Sequence, residues 1–397
     1  MLNLSATYGA RFRCIGPECE DLCCRQWEIP VDAATYERWL ELARGRLRKD
    51  IVHLVQIDQE ARSPALYASI ARNKSGDCAL LDEERLCSVQ RQLGTELLPA
   101  TCSIYPRSLA RVGERLEVSL SLSCPESARR VLLAEDSLCA DGDAQSGGFR
   151  KDNLFWLRGR ATVAVFEDVR RAVVACVRDR SQTLERRLLR IGAFCLELDV
   201  AATEVEIANA CARLDANMPL AADVSVKGDV RGKIEMVFDL SAVHLDDPSC
   251  VRFEEVLVWF AQGLAKYPSE VDGFAEAEQE YGKAFFEAKP HVLENLVLNH
   301  MMQTLFPFGR EGSGDFFTHN AWDEYVQMAM RYAWVRALLT GVAGFFGAAF
   351  GEAHVVQVVQ SLARAIEHYP KVLAALHEYL SERGRDDLPG IAGLLMD

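Results

Sequence analysis

The stretch that decides the reading of this chain is Cys14-Ile15-Gly16-Pro17-Glu18-Cys19-Glu20-Asp21-Leu22-Cys23-Cys24, four thiols within eleven residues. Gly16-Pro17 sets a turn in the first gap and lets the backbone fold back on a common centre. Four more cysteines follow at Cys78, Cys87, Cys102 and Cys124. Turn residues stand beside three of them: Gly76-Asp77 before Cys78, Pro106 after Cys102 and Pro125 after Cys124. Thiolates are soft ligands that suit zinc, copper(I) and iron–sulfur clusters rather than magnesium or calcium. A zinc site takes four ligands, usually from paired knuckles. Eight candidates with an adjacent pair exceed one such site, whereas iron–sulfur clusters accept irregular spacing and ligands from distant loops. The expectation is therefore a metal centre on Cys14, Cys19, Cys23, Cys24, Cys78, Cys87, Cys102 and Cys124, an iron–sulfur cluster (4Fe-4S) with zinc as the alternative. Cys139, Cys176, Cys195, Cys211 and Cys250 each stand alone in apolar or helical settings and are expected in the core.

Working outward, nine of the 13 cysteines fall within the first 139 residues, and the total is odd. Met1 to Ser5 lacks the basic and apolar regions of a signal peptide. A reducing, cytoplasmic setting with metal ligation explains the density better than disulfides. The apolar stretch Ala333–Phe350 is interrupted by Arg336 and several glycines, so no membrane partner is expected. Net charge is −14: 18 Lys+Arg against 20 Asp+Glu up to Cys139, and 26 against 38 beyond it. That balance disfavours nucleic acid, whose binding depends on neutralised phosphates.

The expected fold class is mainly α, with a small cysteine-rich α+β N-terminal region and a helical C-terminal domain. Residues 1–138 form the cysteine-rich metal-cluster domain, the Gly-rich polar run 139–151 the linker, and 152–397 a mostly helical domain that binds substrate or partner. In the first part, Asp32–Leu47 reads as one helix capped by Asp32, and Leu116–Leu122 alternates as a half-buried strand. Beyond the linker, Phe155–Val177, Gln182–Leu198, Phe253–Ala265, Phe274–Glu287, Val292–Phe306, Trp322–Leu339 and Val355–His368 fit a helical period. Pro307 stops one of these helices, and Ile234–Val243 is the single strand-like interruption.

Phe12 through Cys24, followed by Trp27, resembles the opening of the flagellin lysine N-methylases, part of a wider cysteine-rich, zinc- or iron-chelating group. The resemblance continues through Cys78-Ala79-Leu80-Leu81-Asp82, Leu86-Cys87-Ser88, Thr101 to Arg107 and Leu122 to Arg129. It resumes at Glu294 to Val297, Leu305 to Phe308 and Arg364 to His368. Ala79-Leu80 replaces the Pro-Phe usual in the wider group, and neither pair ligates metal. The resemblance implies a protein-lysine N-methyltransferase that uses S-adenosylmethionine on flagellin, or on another lysine-bearing protein, and carries an iron–sulfur cluster. The gaps of four, three and zero residues are not the Cys-x3-Cys-x2-Cys triplet of radical S-adenosylmethionine enzymes, so that chemistry is not carried over. The alternative is a non-enzymatic metal-binding or redox-sensing protein.

Other residues are weaker candidates. Gly341, Gly344, Gly347 and Gly351 follow no strand, which favours close helix packing over a phosphate loop. His291, His300, His354 and His368 are scattered on helical segments and read as surface or core residues. Tyr105 and Arg107 flank Cys102 and either line a pocket or hold the site by hydrogen bonds. The sequence names neither a catalytic base nor an S-adenosylmethionine site.

Overall fold

The computed structural model describes residues 4–6, 8–9, 12–25, 28–60, 63–135, 138–140, 154–158, 161–216, 227–242, 251–311, 320–367 and 370–396. Strand β1 (Leu4–Ala6) runs antiparallel to β7 (Leu138–Ala140). Between them lie β2 (Pro30–Val31), helices α1 (Ala33–Leu42) and α2 (Gly45–Leu54), β3 (Val55–Ile57) and β4 (Ala68–Ile70), which form an antiparallel sheet in the order β2-β4-β3. Asp32 caps α1 by accepting from the Thr35 amide at 2.9 Å, which satisfies one orphan donor of the first turn. Trp39, Ala43, Leu47 and Ile51 bury one continuous face against Ile29, Val31, Val89 and Leu98, and this is the small core. The Trp39 indole N–H donates to the Leu97 carbonyl at 2.7 Å, so the ring is buried without an orphaned donor.

Helices α3 (Ser88–Leu93) and α4 (Ala100–Ile104) then lead into the hairpin β5 (Arg107–Val112) and β6 (Arg115–Leu120), followed by α5 (Pro125–Leu132). Strand β8 (Leu154–Leu157) joins β5 in parallel, and β9 (Arg310–Glu311) closes a mixed sheet of order β6-β5-β8-β9. The rest is helical: α6 (Val163–Arg178), α7 (Leu184–Val200), α8 (Glu204–Asp215), α9 (Val230–Ala242), α10 (Val251–Leu264) and α11 (Glu270–Ala277). After these come α12 (Lys283–Ala288), α13 (His291–Thr304), α14 (Ala321–Phe346), α15 (Glu352–Ile366), α16 (Pro370–Glu382) and α17 (Leu388–Leu395). The fold is thus mainly α with small sheets.

Helix α14 is the axis of the large core. It is buried around its whole circumference over most of its length, from Tyr325 to Gly344. By length and composition it is apolar enough to cross a membrane, but α7, α10, α11, α13, α15 and α17 pack around it. That packing accounts for Gly341 and Gly344 of the glycine stripe, while Gly347 ends α14 at φ +58. A Cβ on Gly263 would overlap the Gly341 carbonyl oxygen, one on Gly341 would meet the Phe260 ring, and Gly344 faces Ala277. Small residues here let the α10 and α14 backbones approach, and side-chain packing alone would hold them further apart. The large core also takes in Tyr8, Phe12, Leu120 and Leu122, so the N-terminal part of the chain feeds both cores.

Several sequence expectations change. Asp32–Leu47 is two helices: Arg44 is extended and Gly45 has φ +55, yet the buried register from Trp39 to Leu47 carries across the break. Phe155–Leu157 belongs to strand β8, because edge pairing with β5 outweighs the helical spacing, and the helix starts only after Thr162, which caps it through the Val165 amide. Ile234–Val243 is not a strand. Residues to Ala242 are helical, burying Lys233, Met236, Val237 and Leu240 at three- and four-residue steps. The alternation of Ile234, Met236, Phe238 and Leu240 is broken at Phe238, which is exposed and meets the Phe260 ring only edge-on. Strand β6 is buried on both faces because Glu117 is neutralised by Arg170, at 2.8 and 2.9 Å. Phe274–Glu287 contains a π-turn at Glu278–Gly282, where the Glu278 carboxylate takes Arg336 and the Thr340 hydroxyl of α14 as partners. Helix α13 ends at Thr304 ahead of Pro307. Trp27, His368, Cys250 and all of 139–151 beyond Ala140 lie outside the described residues.

Two outcomes follow for stability. Gly263→Ala should lower stability by about 2 kcal/mol or more through overpacking, whereas Gly351→Ala, whose nearest neighbour is the Ala349 oxygen at 4.0 Å, should change it little; thermal melts compare them. His300 is buried with neither ring nitrogen hydrogen-bonded, and burial, then Arg331 and Arg310, push its pKa from 6.5 to about 3. The unfolded chain therefore takes the proton first, so stability present above pH 6.5 is lost as pH falls toward 3. His300→Leu removes this pH dependence, so the variant should gain stability relative to wild type as pH falls from 6.5 toward 3, by roughly 1 kcal/mol per pH unit, read from denaturant melts at several pH values.

Candidate metal centre

The structure draws together cysteines from five separate stretches of the chain. A turn of 3-10 helix at Gly16–Glu18 separates Cys14 from Cys19, with Gly16 at φ +58, and the Gly16 amide points at the Cys14 sulfur at 3.4 Å. The loop then carries Cys23 and Cys24 against the small core, where the Cys78 amide donates to the Cys24 carbonyl at 2.7 Å. Leu81 and Cys87 form an isolated antiparallel bridge, which returns Cys87 toward Cys78. Cys102 sits on α4, and Cys24, Cys87 and Cys102 all pack on the core that contains Cys78. Cys124 caps α5 and belongs to the large core.

The electrostatics trace who neighbours whom. Cys24 feels Cys23, Cys102 and Cys78; Cys102 feels Cys87, Cys78 and Cys23; Cys87 also feels Cys23. Cys19 feels Cys23 and Cys14, and Cys124 feels Cys19. Cys23 therefore stands at the junction between a group on the small core (Cys24, Cys78, Cys87, Cys102) and a group nearer the large core (Cys14, Cys19, Cys124). The Cys23 and Cys24 sulfurs are 3.9 Å apart and share a hydrogen bond. That bond, opposed by burial and helped by Arg364, holds the Cys23 pKa below the usual thiol value, while the same bond and burial push Cys24 up. Burial raises Cys19 and Cys78 to about 11 and Cys124 to about 12.

Among the described residues these eight cysteines have no disulfide partner, and with Cys23 held below and several others held above the usual thiol pKa they make a donor set whose chemistry fits a thiolate-ligated metal or cluster. Among the described residues, no three His, Cys, Asp or Glu side chains are already closed around a common point. Ligation therefore requires the thiols to lose protons and draw in. The other cysteines separate cleanly: Cys176, Cys195 and Cys211 are buried in the large core, and Cys139 pairs through its backbone in β7.

Polar residues beside the thiols complete the arrangement. Tyr105 is hydrogen-bonded to Ser123 at 3.1 Å and faces Cys124 and Cys23. Arg107 donates to the Phe12 carbonyl at 3.3 Å, lies over the Phe12 ring, and faces Cys14. The sequence reading passed over Asp21, Ser121, Ser123 and Gln360. The Ser121 hydroxyl joins Ser123 to Glu367, which pairs with Arg331, and Gln360 donates to Asp21 at 2.8 Å and to the Ser123 carbonyl at 2.9 Å. The one available signal was an uncharged amide and an arginine, Gln360 and Arg364, one turn apart on an otherwise apolar helix face. His354 accepts from the Gly351 amide and stacks on Phe346, and His291 is half-buried at the start of α13, so neither joins the site.

Residues 170–394 match the FliB lysine N-methylase C-terminal domain. The chain belongs to the FliB lysine N-methylase family. It is similar to the Lysine-N-methylase of Salmonella typhimurium, 34% identical over 131 residues, which make up 32% of each chain. It is also similar to the Flagellar biosynthetic protein FliU of Salmonella muenchen, 34% identical over 130 residues covering 32% of this chain and 75% of FliU. The Lysine-N-methylase of Salmonella choleraesuis shows the same 34% identity over 32% of this chain and 31% of its own. The match thus spans about a third of the curated lysine-N-methylases. No solved structure matches the chain. In this family member the helices that match the C-terminal domain also wall the thiol site, through Gln360 and Arg364.

Single Cys→Ser changes at Cys24, Cys78, Cys87 and Cys102 should lower bound metal per chain, measured by elemental analysis. Changes at Cys176, Cys195 and Cys211 should not. Burial holds Cys19, Cys78 and Cys124 protonated, so metal loading there would release protons, and apparent metal affinity should rise with pH until these thiols ionise unaided, at about 11 for Cys19 and Cys78 and about 12 for Cys124.

Proposed function

We propose that this chain is a protein-lysine N-methyltransferase that moves the methyl group of S-adenosylmethionine to lysine ε-amines of flagellin or of another lysine-bearing protein. The match of residues 170–394 to the FliB lysine N-methylase C-terminal domain carries this reading. The charge supports it: the 26 Lys+Arg against 38 Asp+Glu beyond Cys139 favour the approach of lysine-rich segments. In the transfer, the lysine ammonium first gives up a proton. Its nitrogen lone pair then forms the N–C bond as the C–S bond of the sulfonium breaks, leaving methyl-lysine and S-adenosylhomocysteine.

The proposal includes an iron–sulfur cluster drawn from Cys14, Cys19, Cys23, Cys24, Cys78, Cys87, Cys102 and Cys124. Bound there, it would supply one-electron chemistry and, like any structural metal, folding energy for the loops that hold it. The chain's own residues orient the thiols, and Tyr105 and the Ser121–Ser123 pair fix the backbone on the side of the large core.

A second reading, a thiol redox sensor, draws on Cys23 alone, which is exposed and held below the usual thiol pKa. One experiment separates the two. Protein purified without oxygen is analysed for iron and sulfide, then incubated with flagellin and S-adenosylmethionine and read by mass spectrometry. Methyltransfer adds one methylene per event to flagellin lysines. No added methylene from iron- and sulfide-replete protein would sink the enzymatic reading and leave the sensor, and zinc without sulfide would sink the cluster.

A further inference from the structure

The loop that carries Cys19, Cys23 and Cys24 is held by side chains distant in sequence, three of them, Arg252, Gln360 and Arg364, more than two hundred residues away. Arg252 of α10 donates to the Glu20 carbonyl at 3.4 Å, and the Glu20 carboxylate pairs with Arg129 of α5. Gln360 of α15 is fully buried and makes three bonds. Its amide donates to Asp21 at 2.8 Å and to the Ser123 carbonyl at 2.9 Å, and its oxygen accepts from Arg252 at 3.1 Å. One turn on, Arg364 donates to the same Asp21 oxygen at 3.2 Å and to the Arg25 carbonyl at 3.3 Å. Arg25 in turn is pinned to Asp77, the residue before Cys78, at 2.7 Å. The Asp21 and Arg364 side chains are 10% and 8% exposed, so the ion pair is almost wholly out of water.

An ion pair so placed costs desolvation that an apolar pair of similar volume would avoid. What it gives in return is geometry at the thiols and a charge beside them. We propose that Arg364 is a positioning residue for the thiol-bound cluster, holding the Cys19–Cys24 loop through Asp21 and raising the cluster's reduction potential by its positive charge. This rests on the iron–sulfur reading above. A cation close to a centre favours whichever state of that centre carries more negative charge. For a thiol that state is the thiolate. For a cluster it is the reduced form, whose potential depends on local net charge and on the hydrogen bonds around the sulfurs. Asp21, its partner, works against it from the same place.

That opposition makes the test specific. Arg364→Gln, Asp21→Asn, the double variant and Arg364→Lys are purified without oxygen as full chains. Iron and sulfide content and the cluster midpoint potential, followed by electron paramagnetic resonance during redox titration, are measured on each. Arg364→Gln should shift the potential down, Asp21→Asn should shift it up, and the double variant should return close to wild type. Arg364→Lys keeps the charge and should stay nearer wild type than Arg364→Gln. A structural role alone would not give shifts of opposite sign that cancel. Shifts of the same sign, unmoved potentials, or loss of iron from all three charge-changing variants would overturn this inference while leaving the cluster in place in the wild type. Wild-type protein that carries zinc and no sulfide would overturn the cluster reading and this inference with it.

Discussion

A charge taken out of water must meet its opposite, and this constraint sets the seams of the molecule. Arg170 of α6 meets Glu117 of β6 and fastens the sheet to the helices. Arg187 of α7 and Arg180 both meet Glu294 of α13, whose carboxyl stays acidic because the two arginines outweigh the burial that opposes its ionisation. Arg331 meets Glu367, and Arg364 meets Asp21. Removing one member of such a pair strands the other in a low dielectric and costs about 3–5 kcal/mol. The apolar cores supply the bulk of the driving force, but these pairs fix which surfaces face each other.

The thiol site adjoins two of these pairs, Arg364–Asp21 directly and Arg331–Glu367 through the Ser121 hydroxyl. The small core carries Cys24, Cys78, Cys87 and Cys102, the large core carries Cys124, and the Cys19–Cys24 loop bridges them. Helix α15 reaches across with Gln360 and Arg364, and α14 behind it is held close to α10 by the Gly263–Gly341 approach. The site is a product of both regions rather than a property of the N-terminal segment alone.

Much of this was legible in the sequence, and the reasons for the failures are physical. Periodicity found the long helices because their buried faces repeat at three- and four-residue steps. It failed at Ile234–Val243, where the buried face repeats at three- and four-residue steps and the alternate residue Phe238 is exposed, and at Phe155–Leu157, where pairing to a partner strand decided the conformation. Asp32 was readable as a cap because capping is local, whereas the break at Gly45 required a left-handed backbone that composition does not announce. The cysteines were conspicuous by spacing. Asp21, Gln360 and Arg364 were not, since their pairing is long-range and each alone looks like an ordinary polar residue. The family resemblance, seen in short motifs, agrees with the C-terminal domain match over 170–394.

The separation of 343 residues between Asp21 and Arg364 has a bearing on biosynthesis. As the ribosome extends the chain, all eight thiols emerge before Gln360 and Arg364 exist. Until α15 is made, the Cys19–Cys24 loop lacks two of its anchors, and its sulfurs are open to oxidants and to stray metal ions. The thiol site is consequently completed late, when C-terminal helix α15 meets a loop that was translated first.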